Sequence, residues 1–438
     1  MPFAALDLHL GHCEAVILAD DGTILRRQRI PTRRADLLAF AQQHLSPAIP
    51  LAVEATFNTW PIVELLRPYV KEVVVSNPLR TRAIAEAKVK TDKVDALVLA
   101  QLLRLDFLPR VWIPDPATQQ LRRATTERAQ LTADRTRIKN RIHAILHQRL
   151  IELAGDHPSD LFTPVNLAWL KALPLDPQGR AALNRQLRLL EQVETELTAI
   201  GDELARTAHA SPQIQLLMTL PGVDFAVAAT LLATLGDIER FPSPDQAAAY
   251  IGLVPSTRQS GNHCYHGPIT KQGRGHARWM LVQAAQHVAH HPGPLGVCFA
   301  RLAKKKNRNV AIVAVARKLV VVAWHMLKNN EPYRYSVPST TQAKLDRLRI
   351  RATGARQRGG NPKGAPRPAA YGSGKPTRAV PSLDQVLAKN NLPPAQPLKP
   401  GEQAMLDRNE LTEFERDLHQ PRRVPKTVKT KAKPPQGE

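Results

Sequence analysis

Cysteine is nearly absent. Cys13, Cys264 and Cys298 are the only three, far apart and with no CxxC pair. That spacing excludes a disulfide framework and a two-pair structural zinc site, and it fits a reducing cytosol. A secretory leader is not expected: MPFAALDLHLGHCEAVIL carries an acid inside its first apolar run and has no basic n-region. No apolar run reads as long enough to span a bilayer, since NVAIVAVARKLVVVAW is broken by Arg317 and Lys318. No internal repeat is found. Acids are also scarce: 38 Asp and Glu stand against 61 Lys and Arg, a formal net charge of +23 over 438 residues. An excess of this sign speaks about partners more than fold, and a polyanion such as DNA or RNA is the default. The other source of such charge is a basic tail on an unrelated enzyme.

What is present suits a globular protein of two to three domains, with 43% hydrophobic residues. Four regions differ in composition. Residues 1–114 mix strand and helix patterns. FAALDLHLGHCEAVILADDGTILRRQRIPT reads as two or three antiparallel strands with DDG as a turn. IPLAVEAT and KEVVVSNP read as short buried strands, WPIVELLRPYV as a helix, and KTDKVDALVLAQLL as another. Strands in a run, followed by alternating helix and strand, predict an α/β sandwich.

Residues 115–209 are nearly free of strand signals. Leu121, Leu131, Ile138, Ile142, Ile145 and Leu146 recur at a helical period, and a second long pattern follows. The expectation is a helical coiled-coil arm for dimerisation, with an ordinary helical bundle as the alternative. Residues 210–335 read as a compact, mainly α domain. From 336 to 438 the chain is rich in Pro, Gly, Lys and Arg, and a mostly disordered basic tail is expected, with LDQVLAKN and GEQAMLDRNELTEFERDLHQ as possible short helices.

Asp7 is the lone acid of the first strand, and Glu54 ends an apolar one. Asp92 and Asp95 lie three apart, hence on one helix face. Singly, each has an ordinary explanation as a cap, an ion-pair partner or a helix-start charge. Together, like-charged acids brought close by a fold require cations to neutralise them. Hard carboxylate oxygens suit Mg²⁺ or Mn²⁺, and two such ions about 4 Å apart serve phosphodiester chemistry.

ALDLH, then VEATFNTW, then KVKTDKVDA gives the order D…E…DxxD. That order resembles the DEDD-type transposases and site-specific invertases of the insertion-sequence one-ten family, which includes Piv-like invertases and bridge-RNA-guided serine recombinases. The resemblance implies a RuvC-like, RNase H-like N-terminal domain with Asp7, Glu54, Asp92 and Asp95 as the metal-binding tetrad. RFPS, AYIGLVP, QSG, ITKQG and RWML, following TLPGV, resemble the family's C-terminal transposase domain in the same order.

On that resemblance Ser260 is the nucleophile, with Ser256 a nearby hydroxyl that stays open. Gly261 would let the backbone approach DNA. Lys271, Arg274 and Arg278 would hold phosphate and offset transition-state charge. Lys88, Lys90 and Lys93 would hold the backbone beside the metals. NHCYH lacks a second ligand pair and reads as a DNA-facing loop. LPGVDFAVAATLLATLGD resembles a helix-hairpin-helix, with a plain αα-corner as the alternative.

The expectation is therefore a DNA recombinase with a composite site of tetrad and serine. It is expected to act as a homodimer or tetramer with DNA and a structured guide RNA, in a bacterial cytoplasm at the nucleoid. A metal-dependent resolvase using water and a non-catalytic nucleic-acid-binding protein are the competing readings.

Overall fold

The computed structural model describes residues 1–84, 92–151, 161–355 and 377–425, with Asp92, Lys93, Thr377, Arg378, Val424 and Pro425 described by backbone only. The chain divides into two compact units, Met1–Asp115 and Pro116–Glu438.

The first unit is built on six strands. β1 (Phe3–Leu8), β2 (His12–Leu18) and β3 (Ile24–Pro31) form an antiparallel meander, with Gly22 at φ +91° closing the DDG turn. α1 (Arg34–His44) leads to β4 (Leu51–Glu54), α2 (Thr59–Leu66) to β5 (Val73–Ser76), and α3 (Pro78–Ile84) and α4 (Asp92–Arg104) to β6 (Arg110–Val111). The sheet order is β3-β2-β1-β4-β5-β6, with β4 parallel to both β1 and β5. Strand alternation sorts the core into two layers. Leu6, Leu8, Ala15, Ile17, Val53 and Val75 meet α1 and α2 through Leu37, Phe40, Ile62 and Leu66. Ala5, Val16, Leu18, Ala52 and Val74 meet α4 through Ala96, Leu99, Ala100 and Leu103. Helices thus cover both faces of the sheet, as the α/β sandwich reading expects.

The second unit is mainly helical. α5 (Pro116–His147) and α7 (Pro177–Ala210) run antiparallel, because Arg149 pairs with Asp176 at one end and Arg135 with Glu194 further along. Their distal halves share a small core with α6 (Pro164–Ala172), made by Ile138, Ile142, Leu146, Leu170, Leu183 and Leu190. Their other halves are built into the main core through Leu121, Leu204, Ala205 and Ala208. The long helices are therefore continuous with the transposase-like region rather than a separate arm.

α8 (Pro212–Leu217), α9 (Phe225–Leu235) and α10 (Pro244–Ile251) precede a hairpin of β7 (Pro255–Ser260) and β8 (His263–Ile269). α11 (Gly275–Val288), α12 (Pro294–Ala303) and α13 (Arg308–Asn329) follow the hairpin. α13 corrects one expectation: at 22 residues it is long and apolar enough to cross a membrane by length and composition. Ile312, Val315, Leu319, Val320 and Ala323 are nevertheless in the protein core, and Arg317 pairs with Asp245 at 2.8 Å.

The chain beyond Tyr335 requires a second correction. A mostly disordered tail was the expectation for 336–438. Instead α14 (Pro338–Thr353) packs on α7, and α15 (Leu383–Lys389), α16 (Pro400–Arg408) and α17 (Thr412–Leu418) follow, with β9 (Thr377–Val380) pairing β10 (Arg422–Pro425). Leu383, Val386, Leu387, Leu406, Leu411 and Leu418 join the main core, and a Ser382–Gln385 capping box starts α15. Average composition hid these few apolar residues, which sit at helical spacing. The most Gly- and Arg-rich stretch, 356–376, and the final 426–438 lie outside the described residues.

Candidate active site

In the first unit the carboxylates share one layer of the sheet. β1 pairs with β4 through Leu6 and Val53, so Asp7 and Glu54 are the next pair in register. Alternation puts both on the face that α4 covers, beyond Ala5 and Ala52. Asp7 is only 4% exposed, Glu54 is half-buried, and Asp95 is half-buried in the first turn of α4. Asp92 begins the same helix, with its side chain outside the described residues. Lys93 is described by backbone only, and Lys88 and Lys90 lie outside the described residues. His9 Nε2 lies 3.1 Å from Asp7 Oδ2.

One acid on this face escaped the sequence reading. Glu14, 1% exposed, sits opposite Asp7 across β1 and β2 and accepts a 2.6 Å hydrogen bond from Arg29 Nε. The signal was available, since HCEAVIL places an acid in an apolar strand just as ALDLH does. Its field is felt nearby: burial foremost, with Asp7 and Glu14 contributing, pushes the Cys13 thiol up to about 11.

The loop after Glu54 is fixed by its own hydroxyls. Thr59 Oγ1 accepts from Thr56 N at 2.7 Å and donates toward the Glu54 carbonyl at 3.3 Å. Among the described residues no three His, Cys, Asp or Glu side chains form a metal-holding group. The donor set still fits a hard divalent cation: two carboxylates in register on adjacent strands, with the helix carrying the DxxD pair starting over the same layer.

In the second unit Ser260 ends β7 and His263 opens β8, so Gly261 and Asn262 form a two-residue turn. Gly261 has φ +54° and open space around its Cα, which leaves its surface accessible. Ser260 is exposed. Ser256, the alternative hydroxyl, lies at the base of the hairpin with its Oγ close to Gly267. On β8 Cys264 and His266 share one face, 3.7 Å apart, and His266 Nδ1 meets Thr257 Oγ1 at 3.0 Å. Alternation turns His263 to the other face, so the three do not converge.

The basic residues after the hairpin divide in role. Lys271 is exposed, with φ +55°. Arg278 Nη1 donates to the Ile251 and Gln272 carbonyls at 2.9 and 3.1 Å, tying this loop to the end of α10. Arg274 is half-buried and reaches Thr126 on α5.

The α8–α9 turn is held from outside the motif. Lys344 of α14 donates to the carbonyls of Met218, Leu220 and Val223. Asp224 caps α9, accepting from Val227 N at 2.9 Å. Burial lowers the Lys344 ammonium to about 7, with Asp224 opposing the shift. Gly222 sits at φ +73°, and a Cβ there would lie 2.3 Å from the Ala284 carbonyl oxygen.

Comparison with known proteins covers both units. A family model for DEDD transposases of IS110 type matches residues 4–150, and the model described as Transposase IS116/IS110/IS902 family matches residues 214–296. The chain is 30% identical over 254 residues to the transposase for insertion sequence element IS1111A of Coxiella burnetii, covering 56% of this chain and 68% of the relative. It is 25% identical over 397 residues to a 44.8 kDa protein of insertion element IS116 from Streptomyces clavuligerus, 78% of this chain and 98% of the relative. The transposase for IS1328 of Yersinia enterocolitica is 25% identical over 250 residues, 54% of this chain and 72% of the relative.

Proposed function

The chain belongs to the IS116/IS110/IS902 family of transposases, and we propose that this DNA-recombining enzyme cuts and rejoins strands with an acidic tetrad and a serine nucleophile. The observation that carries the reading is the layer shared by Asp7, Glu54 and α4. A buried Asp7 beside the half-buried Glu54 and Asp95 is hard to account for by stability alone. Asp7, Glu54, Asp92 and Asp95 would hold Mg²⁺ or Mn²⁺, which supplies charge neutralisation and Lewis-acid stabilisation at a phosphodiester. The strand order around a central β1 supports an RNase H-like, RuvC-like domain.

Ser260 Oγ, giving its proton to a base or solvent, bonds to phosphorus as the P–O bond to one DNA sugar breaks, and the departing oxygen takes up a proton to leave as a hydroxyl, with the other DNA end held as a phosphoserine ester. A second hydroxyl then attacks that ester, freeing the serine and rejoining the strand. The ester conserves the bond energy that rejoining needs. The exposed two-residue turn suits this role, because it presents a hydroxyl without a surrounding wall. Lys271 and Arg274 contact phosphate, while Arg278 positions their loop. A structured guide RNA pairing with target and donor DNA, and a dimeric or tetrameric assembly, complete the proposal.

The test is covalent trapping. The protein is incubated with Mg²⁺, the element's end DNA and the adjoining non-coding RNA, and a protein–DNA adduct is sought after denaturation. An adduct lost in Ser260→Ala is expected. Recombination without any adduct overturns the serine step. Cleavage that persists in Ser260→Ala but vanishes in Asp7→Ala points instead to a water-using resolvase.

A further inference from the structure

From Gln246 to Asn330 the chain carries twelve Lys and Arg and no Asp or Glu. The stretch runs from within α10, through the serine hairpin, to just past α13. Two of its cations are answered from outside it: Arg317 pairs with Asp245 at 2.8 Å, and Lys328 pairs with Glu239. Five others, Arg301, Lys304, Lys305, Lys306 and Arg308, fall within eight residues where α12 gives way to α13. All five are exposed, and among the described residues none has a carboxylate partner.

The connection that carries them is short and held. Lys305 N and Lys306 N both donate to the Leu302 carbonyl, at 3.0 and 2.9 Å, and Asn307 caps α13 by accepting from Asn309 N at 2.8 Å. Leu295 of α12 and Ile312 of α13 anchor it in the main core. Three successive lysines thus sit on one tight backbone, and their mutual repulsion is built in. Helix dipoles account for only part of the cluster. Arg301 and Lys304 stand at the carboxyl end of α12, where a cation is favoured. Lys306 and Arg308 stand at the amino end of α13, where a cation is disfavoured, and the first turn of that helix has no acid to offset them. Cations kept only for the fold or for solubility would not be gathered at that end. A polyanion lying across the connection removes both costs. Arg308 Nη1 also donates to Gln286 Oε1 at 3.4 Å, which sets the connection beside the last turns of α11. Helix rise puts Gln286 about 16 Å from Gly275, the end of α11 that follows the hairpin. That is about five base steps along a duplex.

We infer that the α12–α13 connection is a second backbone contact, separate from the serine hairpin, gripping phosphates of a nucleic acid without regard to sequence. The inference rests on the nucleic-acid-binding part of the proposed function and adds a surface that the strand chemistry does not use. Lysine meets phosphate as a point charge rather than a shaped fork, which suits an unselective grip. DNA and RNA share this chemistry, and the test separates them.

Full-length protein is titrated against a labelled DNA duplex and a labelled RNA hairpin, without divalent cation, across about 50–300 mM salt. The triple variant Lys304→Gln, Lys305→Gln, Lys306→Gln is expected to flatten the log–log salt slope by about two to three and to weaken binding at least about tenfold at about 150 mM salt. A matched triple of exposed cations on the C-terminal helices, Lys399→Gln, Arg408→Gln, Arg416→Gln, removes the same charge and should flatten the slope by less than about one. Equal flattening by the two triples would reduce the effect to net charge and overturn the contact. So would an unchanged slope in the lysine triple while the wild-type protein binds. Arg308→Glu separates binding from folding: its melting temperature should hold or rise, since an acid suits the first turn of a helix, while affinity falls. A lower melting temperature with unchanged affinity would assign Arg308 to the fold and overturn its part in the contact. A slope change on DNA alone assigns the duplex, on RNA alone the hairpin, and on both a grip shared by the two. The lysine triple should still form the protein–DNA adduct at saturating DNA. If no variant ever gives an adduct, the proposed strand chemistry fails while the contact stands on its own measurement. If the wild-type protein binds neither nucleic acid, both readings fall.

Discussion

Asp7 and Glu14 face each other across β1 and β2, yet their surroundings give them different roles. Glu14 already has Arg29, whereas Asp7 lies in register beside Glu54 at the end of the strands. Asp7→Asn and Glu54→Gln are each expected to cut strand cleavage about a thousand-fold, the scale of losing one electrostatic stabiliser. DNA binding, followed by anisotropy, should be unchanged or tighter, since each removes a negative charge facing a polyanion. Glu14→Gln should leave cleavage within a few-fold and instead lower stability by about 1–3 kcal/mol in denaturant titration, because it weakens a buried pair. The split was only partly legible in the sequence. Acids interrupting apolar strands mark Asp7, Glu14 and Glu54 alike, and only strand register tells which one Arg29 neutralises. Arg278 shows a related limit: residue type suggests phosphate, and the carbonyls that its Nη1 also binds lie in residues that only the folded chain brings near.

At the scale of elements, turns and caps decide. Gly222 and Gly261 both have positive φ, but only Gly222 is hemmed in by backbone. Gly261→Ala should cost about 1 kcal/mol, the strain of an αL residue, while Gly222→Ala should cost at least twice that because the α8–α9 turn must separate from α11. Thermal melts of the two variants test the order. His291 offers a pH readout. It lies after α11, its Nδ1 accepts from Gly293 N at 3.1 Å, and burial together with Lys344 lowers it to about 4. A folded value below the unfolded value of about 6.5 means the unfolded chain binds more protons between those limits. Stability contributed by neutral His291 is therefore present above about pH 6.5 and lost as pH falls toward 4. His291→Gln should flatten the melting temperature over that window. Element types and order were largely readable from periodicity in the first unit, through strands β1 to β5, and in the long helix pair, whereas the β7–β8 hairpin was not expected. The anchoring of the α8–α9 turn was not, because Lys344 lies more than a hundred residues away in a segment whose composition suggested no fold.

Across the whole molecule, the second unit depends on its last helices. Leu383, Val386, Leu387, Leu406 and Leu418 are buried in the same core as α9, α11 and α13. A chain cut after residue 376 should expose the face those residues cover, and it should aggregate or melt well below the full protein, as seen by calorimetry. A dispensable tail would leave the melt unchanged. The net charge of +23 is spread over a chain that is folded well past Tyr335, so its basic character belongs to the folded body as well as to the segments beyond it. The Lys344 tie has a consequence in time as well as in space. During synthesis the carboxylate sheet is complete once residue 115 has emerged, but the core beneath the serine hairpin awaits Lys344 and then Leu418. At about 5–20 residues per second that interval lasts roughly 15–60 s. On the proposed mechanism, a nascent chain would carry the acids proposed to bind metal long before the hairpin with its proposed nucleophile is settled, and it would become competent to open DNA only near the end of its own translation.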